Sequence, residues 1–162
     1  MIRALALGAT LASPAHALSC MPPDVATSYT FAADSEDAYV VLWGELAFDP
    51  PALPPQPDDP NQPMPAQPVM GEFSGKSLIG DGSFRPFESP ILIEPVCFGP
   101  WCAVYPESGT EMMIFALQEA SGLRFVTDPC GTTMVPAPSS RDIERVQACH
   151  RGGACEPELE GR

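Results

Sequence analysis

Lysine is almost absent from this sequence of 162 residues. Lys76 stands alone against seven arginines, and the two histidines are His16 and His150. Acidic residues number 21 and basic residues 8, so the formal net charge is −13. Such a surface repels the phosphates of nucleic acids and of anionic lipids, which argues against both as partners. The acidic excess itself is explained by solubility in a salty medium.

Long hydrophobic runs are missing as well. No segment reaches the roughly 18 apolar residues of a membrane-spanning helix. The first 17 residues instead hold Arg3, a short apolar stretch over 4–12 and a terminal Ala15-His16-Ala17, the three parts of a secretory signal peptide. Cleavage after Ala17 leaves a mature chain, 18–162, with a formal charge of 7 − 21 = −14. We therefore expect one domain over 18–162, exported to the bacterial periplasm or the medium.

The residues around this cleavage site allow a second interpretation. Ala17-Leu18-Ser19-Cys20 partly resembles a bacterial lipoprotein box, in which Cys20 would be acylated. Lipidation would leave five cysteines, whereas all six can pair in an oxidising compartment. We favour soluble export, with lipid anchoring at Cys20 as the alternative.

The sequence has few of the motifs that accompany nucleophilic or acid–base catalysis. The sequence contains no Gly-x-Ser-x-Gly motif of a serine hydrolase. His150 is the only histidine of the mature chain, on the apolar side of a predicted helix, where packing explains it better than catalysis. Glu45, Glu72 and Glu94 are explained more simply as solvent-facing strand residues than as a glycosidase pair.

Several binding motifs fail on spacing. The segment 71–77 is one residue short of a phosphate-binding P-loop. Four residues separate the cysteines of Cys97-Phe-Gly-Pro-Trp-Cys102, rather than the two of a thioredoxin site. Asp58, Asp59 and Asp81 lack the regular spacing of an EF-hand, and the cysteine spacing and scarce histidine do not fit zinc. The sequence therefore predicts no cofactor and no metal.

Proline is concentrated in one segment. Residues 50–68 hold nine of the 21 prolines. Such a run lacks backbone donors and prefers the extended polyproline II conformation, so it cannot pair inside a sheet. We expect a long, semi-rigid surface loop that joins two strands.

Most of the remaining chain has the composition of strands. Five segments are rich in aromatic and β-branched residues: 38–48, 69–79, 90–97, 112–118 and 123–127. Gly71 and Gly75 in the second segment predict a bend or bulge. The residues at 119–122 predict a hairpin turn between the last two strands.

A helix is predicted on either side of these strands. Val25, Tyr29 and Ala32 fall on one helical face after Pro22-Pro23. Near the other end, Ser139 or Ser140 can cap a helix whose apolar face carries Ile143, Val146 and His150, and Gly152-Gly153 would end it. The sequence thus predicts a mainly β fold with a short N-terminal and a C-terminal helix.

Four short motifs share their order with a known family of secreted domains. Cys20-Met-Pro-Pro precedes the first helix, and Val40-Val-Leu-Trp-Gly44 lies in the first strand. Val96-Cys97 follows the third strand, and Asp128-Pro-Cys130-Gly closes the hairpin. Over residues 20–131 this layout resembles netrin-module domains related to tissue inhibitors of metalloproteinases. The resemblance implies a five-stranded OB-type barrel.

The resemblance does not extend to the inhibition of proteases. In the inhibitors a cysteine is the first residue, and its free amine and carbonyl chelate the zinc of the target. Here Leu18 and Ser19 stand before Cys20, and Met21-Pro22 replaces the Cys-x-Cys opening of the family. We expect the fold of the family without that activity.

The six cysteines allow 15 connectivities. We predict two local disulfides and one long one: Cys97–Cys102, Cys149–Cys155 and Cys20–Cys130. The family resemblance implies Cys20–Cys97 instead, which is the alternative.

The sequence supports two functional hypotheses. The first is an exported, non-catalytic binding module whose partner, a protein or a small ligand, meets a loop with four candidate contact residues: Phe98, Pro100, Trp101 and Tyr105. These aromatics could instead plug one end of the barrel. The second is an enzyme, either a thiol–disulfide protein that uses Cys97 and Cys102 or a hydrolase with dispersed carboxylates. The sequence favours the first hypothesis and does not fix an oligomeric state.

Overall fold

The structure is a computed structural model that describes residues 19–20, 24–51 and 67–158. Within these ranges it contains two helices and eight strands: α1 (Val25–Ala33), β1 (Tyr39–Ala47), β2 (Val69–Leu78), β3 (Phe84–Pro95), β4 (Cys97–Phe98), β5 (Trp101–Cys102), β6 (Thr110–Glu119), β7 (Gly122–Thr127), β8 (Met134–Pro136) and α2 (Ser140–His150). The expected signal peptide, Pro22-Pro23, Asp58, Asp59 and most of the proline-rich segment lie outside the described residues.

Five long strands form one sheet that closes on itself. The order is β1-β2-β3-β7-β6, and β6 pairs again with β1. Neighbours are antiparallel except β3 and β7, which run parallel. Strand β8 adds to β6, while β4 and β5 form a separate hairpin. The mainly β architecture with a helix on either side is therefore confirmed, with the strands arranged as a closed ring.

The third strand is longer than the sequence indicates. It begins at Phe84 rather than at Pro90, and it contains Pro86 and Pro90. Strand β3 pairs with β7 only from Ile91 onward, so its first half is a sheet edge on that side. Proline is tolerated at such an edge because no ladder donor is needed there. The short strands β4, β5 and β8 were not predicted.

Two hydrophobic clusters share strands β1 and β6. One cluster fills the ring, with Leu42, Ile114 and Phe125 fully buried. The other lies between the outside of the ring and the helices, and there Met113 and Val146 are fully buried. Because successive side chains of a strand point to opposite faces, each of the two strands supplies both clusters. This explains why the residues of β6 from 112 to 117 are apolar without interruption.

Both helices begin at capped residues. Asp24 accepts hydrogen bonds from the backbone N–H groups of Ala26 and Thr27 at the start of α1. Ser139 and Asp142 form a reciprocal capping box at the start of α2, as the serine there predicts. These caps satisfy donors that a helix leaves open at its first turn.

Gly44 and Gly75 bring strands β1 and β2 into close contact. They are directly paired, and a Cβ added to Gly44 would lie 2.3 Å from the carbonyl oxygen of Ser74 and 2.6 Å from the Cα of Gly75. The register of β2 with β3 runs without a break through Gly71 and Gly75, and the register with β1 runs without a break through Gly75. The predicted bulge is therefore wrong, since these glycines serve a close approach of strands instead.

The six cysteines form three disulfides: Cys20–Cys130, Cys97–Cys102 and Cys149–Cys155. The long bond spans 110 residues and ties the start of the described chain to the segment after β7. These pairs coincide with the favoured assignment, and Cys20 does not pair with Cys97.

Replacing Gly44 by alanine is expected to destabilise the ring. The added methyl group meets backbone atoms that cannot rotate away, so the free energy of unfolding should fall by about 1–3 kcal/mol, the usual cost of overpacking. Urea unfolding measures this change. The matched control is Gly80→Ala, because no atom lies within 4 Å of a Cβ placed there. Equal stability of both variants would contradict the close-contact role of Gly44.

The long disulfide should stabilise the fold more than the local one in the hairpin. In the chain-entropy model the free energy of unfolding falls by about 5 kcal/mol when a loop of this length is opened, and by about 2 kcal/mol for a five-residue loop. We expect the Cys20→Ser/Cys130→Ser variant to unfold at lower urea concentration than Cys97→Ser/Cys102→Ser. The opposite order would show that the long bond does not clamp the fold.

Candidate functional site

The β4–β5 hairpin presents the main candidate surface. Its register pairs Cys97 with Cys102 and Phe98 with Trp101, and Gly99-Pro100 makes the turn. Gly99 has a φ of +59°, a conformation that glycine adopts without strain. A hairpin with two residues in each strand has little stability of its own. The disulfide at its base therefore fixes the positions of the residues above it.

The two faces of this hairpin differ in character. Directly paired residues project to the same face, and the next pair projects to the other. The disulfide therefore occupies one face, and Phe98 and Trp101 emerge from the opposite one. Their side chains remain 47% and 38% exposed. We call Phe98, Pro100 and Trp101, all exposed, the apolar tip.

Tyr105, the fourth candidate contact residue, belongs to a different environment. Its ring lies 5.9 Å from that of Phe48 and packs against the cluster inside the ring of strands. Its hydroxyl donates a hydrogen bond to the carbonyl of Gln67, and burial raises the pKa of the phenol. Tyr105 thus covers one end of the ring, as the plug hypothesis expects, while the apolar tip faces solvent.

Backbone hydrogen bonds attach the hairpin to the same end of the ring. Ala103 N–H donates to the carbonyl of Val96, and Val96 N–H donates to that of Thr127 at the end of β7. The Ser108 hydroxyl donates to the carbonyl of Phe48 at 2.7 Å and accepts from its N–H at 2.9 Å. The apolar tip is therefore mounted on a rigid sheet end. Strand β1 ends and strand β2 begins at this same end of the sheet.

Val104 extends the apolar character beyond the hairpin. It lies two residues after Cys102, and its side chain is 82% exposed. The sequence does not indicate this exposure, because a single valine in a loop carries no signal of it. Its position is evident only once the hairpin is known.

The carboxylates considered for hydrolysis lie on different strands. Glu45 on β1 and Glu72 on β2 are exposed. Glu94 on β3 accepts a 2.7 Å hydrogen bond from Arg124, which also binds Glu119. Within residues 19–20, 24–51 and 67–158, no three His, Cys, Asp or Glu side chains lie close enough to hold a metal ion.

Asp81 has a local structural contact. Its Oδ1 accepts a hydrogen bond from the Ser83 backbone N–H at 2.8 Å in the turn before β3. Hydrogen bonds from the side chain and backbone of Ser83 lower the pKa of this exposed carboxyl. The carboxylate thus fixes the turn between β2 and β3.

His150 joins the two helices. Its Nδ1 lies 3.1 Å from the hydroxyl of Tyr29, and the two rings meet edge to face. Burial raises the pKa of Tyr29. This contact is the helix packing expected for the residue.

An ion pair also joins α1 and α2, between Asp24 at the start of α1 and Arg145 in α2. Arg145 donates to Asp24 at 3.0 Å, and both side chains are less than 20% exposed. The Cys149–Cys155 disulfide turns the chain back, so that Arg145 also reaches the carbonyl of Glu156 and Asp24 accepts from the Glu158 N–H. These contacts hold the segment around Glu156 and Glu158 against both helices.

Lys76 of the P-loop-like segment and the thioredoxin-like pair Cys97 and Cys102 both lie in β-structure. Lys76 lies on β2 with its Nζ 4.5 Å from the centroid of the Trp43 ring, a cation–π contact. Cys97 and Cys102 lie in a β-hairpin, whereas the low thiol pKa of thioredoxin-type sites depends on a helix N-terminus. Neither motif has the local structure that its chemistry requires.

Comparisons with protein-family models, with curated proteins and with solved structures found no match to this chain. The resemblance to netrin-module domains therefore stays a prediction. Neither helix in the part of the chain that the structure describes is long and apolar enough to cross a membrane.

Replacing Asp24 by asparagine should destabilise the protein in a pH-dependent way. Burial acts to raise the pKa of Asp24, but hydrogen bonds from Arg145 and from backbone N–H groups outweigh it, so the pKa is lowered. The resulting stabilisation is complete above the ordinary aspartate pKa of about 3.9 and is lost as the pH falls through the lower folded-state value. Asparagine keeps the helix cap and removes only the charge.

We expect Asp24→Asn to lower the free energy of unfolding by about 1–2 kcal/mol near neutral pH. Urea unfolding at a series of pH values measures the difference, which should shrink below about pH 4. Asp34→Asn, at the C-terminal end of α1, is the control for a general loss of negative charge. A difference for Asp24→Asn that persists unchanged at low pH would contradict the role of the ion pair.

Proposed function

We propose that the protein is an exported, non-catalytic binding module that contacts its partner through the apolar tip. The observation that carries this proposal is the exposure of Phe98 and Trp101 on a hairpin closed by a disulfide. The partner is a molecule with an apolar surface, and no chemical step is required of the hairpin.

The energetics of exposed aromatic side chains support a binding role. Each ring left in water forgoes the hydrophobic stabilisation that it would gain by burial. Aromatic residues are also enriched at the centres of interfaces, where a large rigid ring gives contact area at small entropic cost. Cross-linking Cys97 to Cys102 fixes the tip before binding, which reduces the ordering cost further.

We further propose that the closed ring is an OB-type barrel of the netrin-module kind. Numbering only the five long strands along the chain, the ring order is 1-2-3-5-4, with a single parallel pair between the third and fifth strands. A closed five-stranded ring with this crossed order supports a Greek-key barrel. The Cys20–Cys130 bond differs from the Cys20–Cys97 pairing of the family, and inhibition of metalloproteases forms no part of the proposal.

The compartment follows from the cysteine chemistry. Three disulfides among six cysteines indicate an oxidising environment. Export by the signal peptide at 1–17, with release of the chain 18–162, would bring the protein to such a compartment. Periplasmic or secreted location is therefore part of the proposed function.

The test is capture of a partner by the immobilised chain 18–162 from an extract of its own cell envelope. Bound protein is measured by mass spectrometry and bound lipid by extraction. We expect Phe98→Ser/Trp101→Ser to retain less than about one tenth of the partner, because a loss of about 1.4 kcal/mol is tenfold in affinity.

The matched control is Phe31→Ser. Phe31 lies on α1 and is 47% exposed, the same fraction as Phe98. This variant should capture as much partner as the unmodified chain, and circular dichroism checks that every variant is folded. Undiminished capture by the hairpin variant would refute the proposed function.

A further inference from the structure

We infer that the partner of the apolar tip is the surface of a lipid membrane whose headgroups are zwitterionic and therefore carry no net charge. The inference rests on the proposed function and names the chemistry of the partner. It concerns reversible contact with a lipid surface through the hairpin.

The chemistry of the segment around the tip is poor in polar groups. Residues 95–106 carry no charged side chain. Their only side-chain N–H or O–H groups belong to Trp101 and Tyr105, and the Tyr105 hydroxyl is already bonded to the carbonyl of Gln67. Within residues 95–106, the indole of Trp101 is therefore the one other side-chain N–H or O–H donor.

This scarcity distinguishes between classes of partner. A sugar or other polar ligand needs several placed donors and acceptors to fix its orientation. A protein interface combines an apolar centre with a polar rim and about one hydrogen bond per 100–200 Å². A lipid interface needs neither, because exposed apolar side chains can enter the acyl region while an indole N–H stays at the level of the headgroups.

The exposed side chains have the composition of interfacial anchors. Trp101 supplies the amphipathic ring that is enriched at membrane–water boundaries. Phe98 projects from the same face of the hairpin, and Val104 is 82% exposed nearby in the chain. With Pro100 in the turn between them, Phe98 and Trp101 give an apolar group, held by the disulfide, that can enter a membrane without refolding.

Charge selects among lipids. Residues 18–162 have a formal charge of 7 − 21 = −14, and Glu107 follows the uncharged segment directly. Glu94, on its other side, is paired with Arg124. An anionic bilayer would repel this protein, whereas a zwitterionic surface would not. The proposed ligand is therefore a zwitterionic lipid surface with no net charge.

The expected binding is weak and reversible. Two half-exposed rings bury less apolar surface than one long acyl chain, and even a single acyl chain gives only marginal membrane affinity. Such contact would concentrate the protein at a membrane without anchoring it permanently.

The test is co-sedimentation of the chain 18–162 with vesicles of pure phosphatidylcholine. We expect Phe98→Ser and Trp101→Ser each to lower the partition coefficient about fivefold or more, since each removes most of one inserted ring. Phe31→Ser, with the same exposed fraction as Phe98, should bind as the unmodified chain does. Adding phosphatidylglycerol to the vesicles should reduce binding at low salt.

A second readout reports insertion directly. The chain has two tryptophans, and Trp43 is partly buried in the outer cluster beside Phe84 while Trp101 lies at the tip. Vesicles of brominated phosphatidylcholine should quench the fluorescence of the unmodified chain. The Trp101→Ser variant, which keeps Trp43, should not be quenched.

The outcomes separate the inference from the proposed function. Equal vesicle binding by the hairpin variants and Phe31→Ser, or tighter binding to anionic vesicles, overturns the lipid inference. If vesicles do not bind but the envelope extract yields a protein that the hairpin variants lose, the partner is a protein; the inference fails and the proposed function stands. If neither vesicle binding nor capture depends on the hairpin, both fail.

Discussion

The closure of the sheet through β1 is the constraint on which the rest of the structure depends. This strand pairs with β2 along one edge and with β6 along the other. Closure leaves β1 with a partner on both sides and reduces the open edges that an isolated sheet would expose, although the first half of β3 remains an edge. It also requires β1 and β2 to approach closely, and Gly44 and Gly75 permit this because neither has a Cβ.

The same closure places the candidate site outside the ring. The interior is filled by large side chains such as Phe73, Ile91 and Phe125, each at most 1% exposed. The outer side of β1 and β6 is occupied by the helices. The exposed residues Phe98, Trp101 and Val104 lie in the connection between β3 and β6, where an insertion does not disturb the ladder. The disulfide between Cys97 and Cys102 gives this connection the rigidity that a loop lacks.

Sequence patterns predicted the long strands and both helices because hydrophobic periodicity and capping residues are local signals. The run over 112–118 and the serine before α2 are examples that the structure confirms. The start of β3 was missed, because prolines at 86 and 90 are read as strand breakers unless the edge position is known. The glycines of β2 were misread for a similar reason, since the partner that needs their space lies on another strand.

The candidate site was predictable only in composition. A stretch of aromatic residues between two cysteines can be recognised, but the sequence does not show which rings are buried. Tyr105 packs inward and the apolar tip faces outward. The hydrogen bonds that attach the hairpin to the sheet join Val96 to Ala103 and to Thr127. Sequence patterns do not show that these three residues are neighbours.

The acidic surface and the apolar tip are physically connected. Exposed aromatic groups on a rigid hairpin favour self-association, because two tips could bury each other. The formal charge of residues 18–162, 7 − 21 = −14, opposes the approach of two copies and acts over about a Debye length, some 8 Å at physiological ionic strength. The repulsion does not act on an uncharged partner. The charge therefore protects the tip from a second copy of the chain while leaving it open to a neutral surface, so the composition that first suggested only solubility also sets which contacts the tip can make.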